Sequence, residues 1–130
     1  MTDLVRLATP ADIPGIIALV EANPDTLLPR LPEEVAKLLP AFWVAEADGH
    51  VVGCCCLEVY SPKIAEIRTL VVAREYRDRG LGSELVKTAV AEAKRHSIRE
   101  ILVVTSNVPF FEQLNFGACL HEKYALFYRG

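Results

Sequence analysis

No apolar run in this 130-residue sequence approaches the roughly 20 residues a helix needs to cross a bilayer, so a membrane span is not expected. Basic charge is not in excess: 14 Lys plus Arg stand against 17 Asp plus Glu, for a net charge of −3. A nucleic-acid binder draws its affinity from a basic face that neutralises phosphates, so no nucleic-acid partner is expected. The first residues, MTDLVRLATPAD, lack a basic cap followed by an apolar stretch, and no secretory leader is expected. Cysteines are few, and three of them are consecutive: Cys54, Cys55 and Cys56, with Cys119 apart. Neighbouring strand residues point to opposite faces and do not readily bridge. No C-x-x-C pair and no second Cys/His pair completes a zinc site, so no metal is expected. The cysteines read as small buried hydrophobes of a reducing compartment, and a cytoplasmic location is expected.

What is present suits one globular domain over residues 1–130, with 52% apolar and 24% charged residues. Residues 4–8 read as a strand. Thr9, Pro10 and Asp12 form a helix start, and Ile13, Ile16, Ile17 and Val20 then recur at helical spacing up to Asn23-Pro24-Asp25. A proline-stiffened segment, residues 26–40, holds a short helix over 32–39. Residues 42–47 and 51–60 flank an Asp48-Gly49 turn as a hairpin, and 64–73 is a third β-branched strand. A helix over 80–96 buries Leu81, Leu85, Ala89 and Ala93, widened by Val86 and Val90, and His96 caps it. Residues 100–105 read as a strand buried on both faces, 109–114 as a short helix ended by a left-handed Asn115, and 118–130 as one or two closing strands. The order β-α-α-β-β-β-α-β-α-β implies a mixed sheet covered by helices.

The most informative stretch is Arg77-Asp78-Arg79-Gly80-Leu81-Gly82-Ser83, between a strand and a helix. Helix amino termini carry unpaired N–H donors and partial positive charge, so an anion fits there. Gly80 and Gly82 let the backbone turn sharply and approach a phosphate, while Arg77 and Arg79 add forked donors. A Walker loop is excluded because Gly82-Ser83-Glu84 replaces G-K-[ST]. A dinucleotide fingerprint is excluded because Leu85 occupies the place of its third glycine.

The surviving pattern, R-x-x-G-x-G, resembles the acetyl-CoA pyrophosphate loop of the GNAT superfamily of N-acetyltransferases. Leu27-Leu28-Pro29-Arg30, Phe42 to Glu46, Asp48-Gly49, Val52-Gly53-Cys54 and Ala65 to Thr69 further resemble the acetyltransferase domain of N-acetylglutamate synthases, over residues 27–116. The resemblance implies an α/β (α+β) fold with a mixed, mostly antiparallel sheet of six to seven strands flanked by about four helices. It also implies acetyl-CoA as cofactor and direct attack of a small-molecule amine, glutamate among the candidates, on the thioester. A non-catalytic acyl-CoA-binding module and a protein lysine or amino-terminal acetyltransferase are the alternatives. A homodimer through strand residues near the carboxyl end is left open.

Glu66 lies fourteen positions before Gly80, the offset of the catalytic glutamate in the histone acetyltransferase branch, and is the candidate base. Strand alternation places Glu66, Arg68, Leu70 and Val72 on one face and Ile67, Thr69 and Val71 on the other. By resemblance, the Leu70 N–H points at the thioester oxygen, Val71 and Val72 hold the pantetheine arm, and residues 77–83 hold the diphosphate. A bulge in this strand would free such donors. Asn107 and Phe110 would contact the cofactor, and Phe111 would pack the core. GNAT proteins often place a tyrosine here as general acid; Phe110 and Phe111 have no hydroxyl, leaving Tyr76, Tyr124 or water. Arg30 and Arg68 are the candidate readers of a substrate carboxylate. The synthases' arginine after the fifth strand is replaced near Ser106. Neither His50 nor His121 is expected to be catalytic.

Overall fold

The computed structural model describes residues 4–117 together with Leu126, Tyr128 and Arg129. Five strands occur among the described residues: β1 (Leu4–Leu7), β2 (Phe42–Ala47), β3 (His50–Val59), β4 (Ile64–Val72) and β5 (Glu100–Leu102). Four α-helices accompany them: α1 (Ile13–Glu21), α2 (Pro32–Leu38), α3 (Leu81–Arg95) and α4 (Val108–Glu112). The sheet runs β1-β2-β3-β4-β5, antiparallel except for the parallel β4–β5 pair. This is the mixed α+β architecture the element order implied. The closing strands expected over 118–130 fall outside the described residues, apart from Leu126, Tyr128 and Arg129, which carry no assigned strand. No described helix is long and apolar enough to cross a membrane.

Helices cover both sheet faces. Leu85, Val86, Ala89 and Ala93 of α3 pack on Trp43, Cys55, Leu57 and Ile67. On the opposite face, Ile16 and Leu19 of α1 and Val35 of α2 pack on Phe42, Val44, Cys54 and Cys56. The three cysteines therefore alternate between two cores, as expected of consecutive strand residues, and all are fully buried and free. Burial pushes the Cys54 and Cys56 thiols up to about 12, so they are protonated and inert near neutrality. Where β1 meets the start of α1, the Arg6 guanidinium holds the buried Asp12 carboxylate at 2.7 Å and Glu46 at 2.8 Å.

Two expectations are corrected. Residues 100–105 are not a strand buried on both faces: β5 ends at Leu102, and Leu102 and Val104 are exposed, while Ile101 and Val103 pack toward α3. The helix layer covers only one face there. Nor do Glu66, Arg68, Leu70 and Val72 share a face. Cys54 pairs with Val71 and Cys56 with Arg68, so β4 carries one residue more than β3 between those pairs, a bulge. Thr69 sits in it with φ +56°. Side-chain parity inverts across the bulge: Ala65 and Ile67 join the α3 core, Val71 joins the α1–α2 core, and Leu70 and Val72 turn to the α3 side.

Candidate active site

The bulge, the short β5 and the head of α3 together open a cleft. β5 pairs with β4 only at Ile64 to Glu66, so residues 67–72 of β4 have no β5 partner. The space between the diverging strands is an open cleft of about 1120 Å³. Leu70, Val71 and Val72 line it, on the stretch of β4 that β5 leaves unpaired.

The head of α3 forms one end of the cleft. Gly80 takes φ +82° as the N-cap, a conformation that favours glycine. The first N–H to reach an acceptor within the helix is that of Glu84, on the Gly80 carbonyl at 3.0 Å. The N–H groups of Leu81, Gly82 and Ser83 are the orphan donors of this end. A Cβ on Gly82 would stand 3.4 Å from Phe110 Cζ, so the missing side chain leaves a bare backbone surface against α4. Arg77 lines the cleft while its Nε donates to the Val72 carbonyl at 2.9 Å, tying the loop to the end of β4. Asp78, Gly80, Leu81, Gly82 and Ser83 also line it, but Arg79 does not; its guanidinium lies over the Tyr76 ring at 4.7 Å.

Glu66, Arg68 and Arg30 line the other end. Glu66 Oε1 accepts from the Tyr60 hydroxyl at 2.5 Å. Arg30, almost wholly buried, donates from Nη2 to Glu58 at 2.9 Å and from Nε to the Thr69 hydroxyl at 3.2 Å. Arg68 lies 3.5 Å from the other Glu58 oxygen and is more exposed than Arg30. Desolvation works against the Arg68 charge, but Glu58 and Glu66 outweigh it and raise its pKa, so it remains a cation.

The cleft also gathers Val71, Asn107 and Phe110; Phe111, buried, packs edge-on against Phe110 as a core residue. Tyr76 lines the cleft with its hydroxyl donated to Asp48 at 2.9 Å, and Tyr124 lies outside the described residues. His96 caps α3 and contacts Glu92 at 2.9 Å, whereas His50 opens β3. Reading the sequence missed Glu58, Tyr60 and the hydroxyl of Thr69. Counting residues outward from the Ser61-Pro62-Lys63 turn places Glu58 opposite Glu66 and would have found the first two.

A family model described as acetyltransferase (GNAT) family matches residues 11–116. The chain belongs to the GNAT acetyltransferases. An uncharacterized N-acetyltransferase of Chlorobaculum tepidum is 36% identical over 114 residues, covering 86% of this chain and 74% of that protein. An amino-acid acetyltransferase of Aeromonas salmonicida is 30% identical over 85% of this chain, which spans only 26% of that relative. Among solved structures, Rv2747 of Mycobacterium tuberculosis, in complex with CoA and NLQ, superposes with a TM-score of 0.83 at 30% identity, over 86% of this chain and 70% of its own. N-acetylglutamate synthase of Neisseria gonorrhoeae, complexed with coenzyme A and N-acetyl-glutamate, gives 0.79 at 25%, over 88% of this chain and 28% of its own. The GNAT fold thus accounts for the sheet, the splay and the glycine loop together.

Proposed function

We propose that this GNAT protein is an acetyl-CoA-dependent N-acetyltransferase whose acceptor is a small amine bearing a carboxylate, an amino acid of the glutamate kind. The observation that carries the reading is the meeting, in one cleft, of the unpartnered β4 edge, the orphan N–H groups of α3 and the carboxylate of Glu66. The residues present fit the cofactor. The amides of Leu81, Gly82 and Ser83, with Arg77, would hold the diphosphate, and the β4 backbone at Leu70 to Val72 would pair with the amide-bearing arm as an added strand. Asn107 and Phe110 would close over it. Asp78 and Arg79 stand at the rim of the same loop.

Acetyl-CoA supplies an activated acetyl thioester, so no enzyme nucleophile is required and the buried cysteines have no part. The chain's own residues must strip a proton from an amine that is mostly ammonium near neutrality, and in this reading the cleft-lining carboxylate of Glu66 takes it. The Leu70 N–H is the fixed donor for the oxygen that gains charge. Arg68, a partly exposed cation beside Glu66, would fix the acceptor's carboxylate, with Arg30 offsetting the negative charge of the Glu58 they share. The names of the amino-acid acetyltransferase and N-acetylglutamate synthase relatives support this acceptor class.

The test is thiol release from acetyl-CoA across a panel of the standard amino acids and neutral amines. Turnover fastest with acidic amino acids, and abolished or slowed at least a hundredfold in Glu66→Gln, is the expected result. Turnover confined to neutral amines would overturn the acceptor class. CoA binding without turnover on any amine would favour a non-catalytic sensor, the reading motivated by Phe110 and Phe111 where a tyrosine is usual.

A further inference from the structure

Glu58 on β3 and Glu66 on β4 are directly opposed in the antiparallel register, a placement in which like charges repel. Their surroundings differ. Glu58 takes the cations, Arg30 at 2.9 Å on Oε1 and Arg68 at 3.5 Å on Oε2. Glu66 takes a phenol: the Tyr60 hydroxyl donates to its Oε1 at 2.5 Å and lies 3.4 Å from Glu58 Oε2. A phenol has one proton to give, and the shorter contact assigns it to Glu66. Tyr60 is fixed by its own backbone, whose N–H donates to the Ile64 carbonyl at 3.0 Å where β3 turns into β4. Glu66 lines the cleft and Tyr60 does not, so the phenol meets the carboxylate from behind.

We propose that Tyr60 is a positioning residue for the proton-accepting carboxylate: its hydroxyl holds Glu66 Oε1 and leaves Oε2 as the oxygen that takes the proton of the incoming amine. The inference rests on Glu66 acting as the base. In the step, an N–H bond of the ammonium breaks, an O–H bond forms at Oε2, and Tyr60 keeps its own proton. Desolvation first, and then the bond to Glu66, push the Tyr60 phenol up to about 12, so it remains a donor across the working range. The charged and titratable groups around Glu66 are Glu58 and Tyr60 from β3, Arg68 on its own strand, and Arg30 acting through Glu58; β5 presents the apolar Leu102. Removing the hydroxyl deletes a donor to the charged form of the base, so activity should need a higher pH. It also frees the carboxylate to rotate, which lowers turnover without touching the cofactor loop.

The experiment compares wild type, Tyr60→Phe, Glu66→Gln and the double variant by thiol release from acetyl-CoA, using whichever standard amino acid the wild type turns over fastest. Circular dichroism melts verify folding, which half-exposed Tyr60 should tolerate. Expected for Tyr60→Phe are a roughly tenfold lower kcat, an unchanged KM for acetyl-CoA, an acidic limb of kcat/KM moved to higher pH, and no further loss on the Glu66→Gln background. An unmoved limb, or losses that multiply in the double variant, would overturn the positioning role while leaving the acetyltransferase reading intact. Absence of turnover with every amino acid in the wild type would remove that reading, and this inference with it.

Discussion

Arg30 Nε donates to the Thr69 hydroxyl at 3.2 Å, joining the loop before α2 to the one left-handed residue of β4. A β-branched residue at φ +56° is strained, and strain of this kind persists only where the surroundings hold it. The Arg30 side chain is 8% exposed and is also paired with Glu58, so it braces the bulge from the α1–α2 side.

Thr69→Val keeps the shape and removes the hydroxyl. It should lower stability by about 1–2 kcal/mol, because the buried guanidinium Nε loses its acceptor. It should also lower kcat, since the bulge sets where the Leu70 N–H points. Urea unfolding and steady-state kinetics on the same preparation check both effects; unchanged values would show that the bulge needs no brace.

Gly82→Ala should separate stability from cofactor use. The added Cβ meets Phe110 at 3.4 Å, an ordinary contact, and alanine suits the first helical turn better than glycine, so stability should hold or rise by about 0.5 kcal/mol. The same methyl covers backbone that the diphosphate must approach, and KM for acetyl-CoA should rise roughly tenfold. A rise in KM accompanied by unfolding would point to damage rather than to a blocked loop.

Asp12 carries a pH dependence whose sign is fixed. The Arg6 hydrogen bond, opposed by burial and aided by the Thr9 N–H, lowers its pKa from 3.8 to about 2. The folded state therefore favours the carboxylate, and the stabilisation is complete above about pH 4 and disappears as pH falls toward 2. Asp12→Asn should cost about 2 kcal/mol at pH 7, and its unfolding curve should converge on wild type near pH 2. A gap that persists at pH 2 would mean the loss comes from packing.

Local pattern made the elements legible, and long-range register hid part of the site. The stripe Leu81, Leu85, Ala89, Ala93 and the Gly80–Gly82 loop are written in contiguous residues, and both stand where the pattern put them. Asn115 takes its expected left-handed turn at φ +70°. The Thr69 bulge is different: Thr69 is a good strand residue, and only the pairing of Cys54 with Val71 and Cys56 with Arg68 reveals the extra residue. One undetected residue was enough to put Leu70 and Val72 on the wrong face. Arg30 reads in the sequence as a candidate for a substrate carboxylate, but its buried pairing with Glu58, 28 residues away, has no local signature. The early end of β5 likewise depends on its divergence from β4 rather than on its apolar run.

A crystal structure of the protein with coenzyme A tests the central claim most directly. The account predicts the diphosphate within hydrogen-bonding reach of the Leu81, Gly82 and Ser83 N–H groups, with the pantetheine arm lying along β4 at Leu70 to Val72. Coenzyme A bound away from the α3 head, or no binding at millimolar ligand, would contradict it.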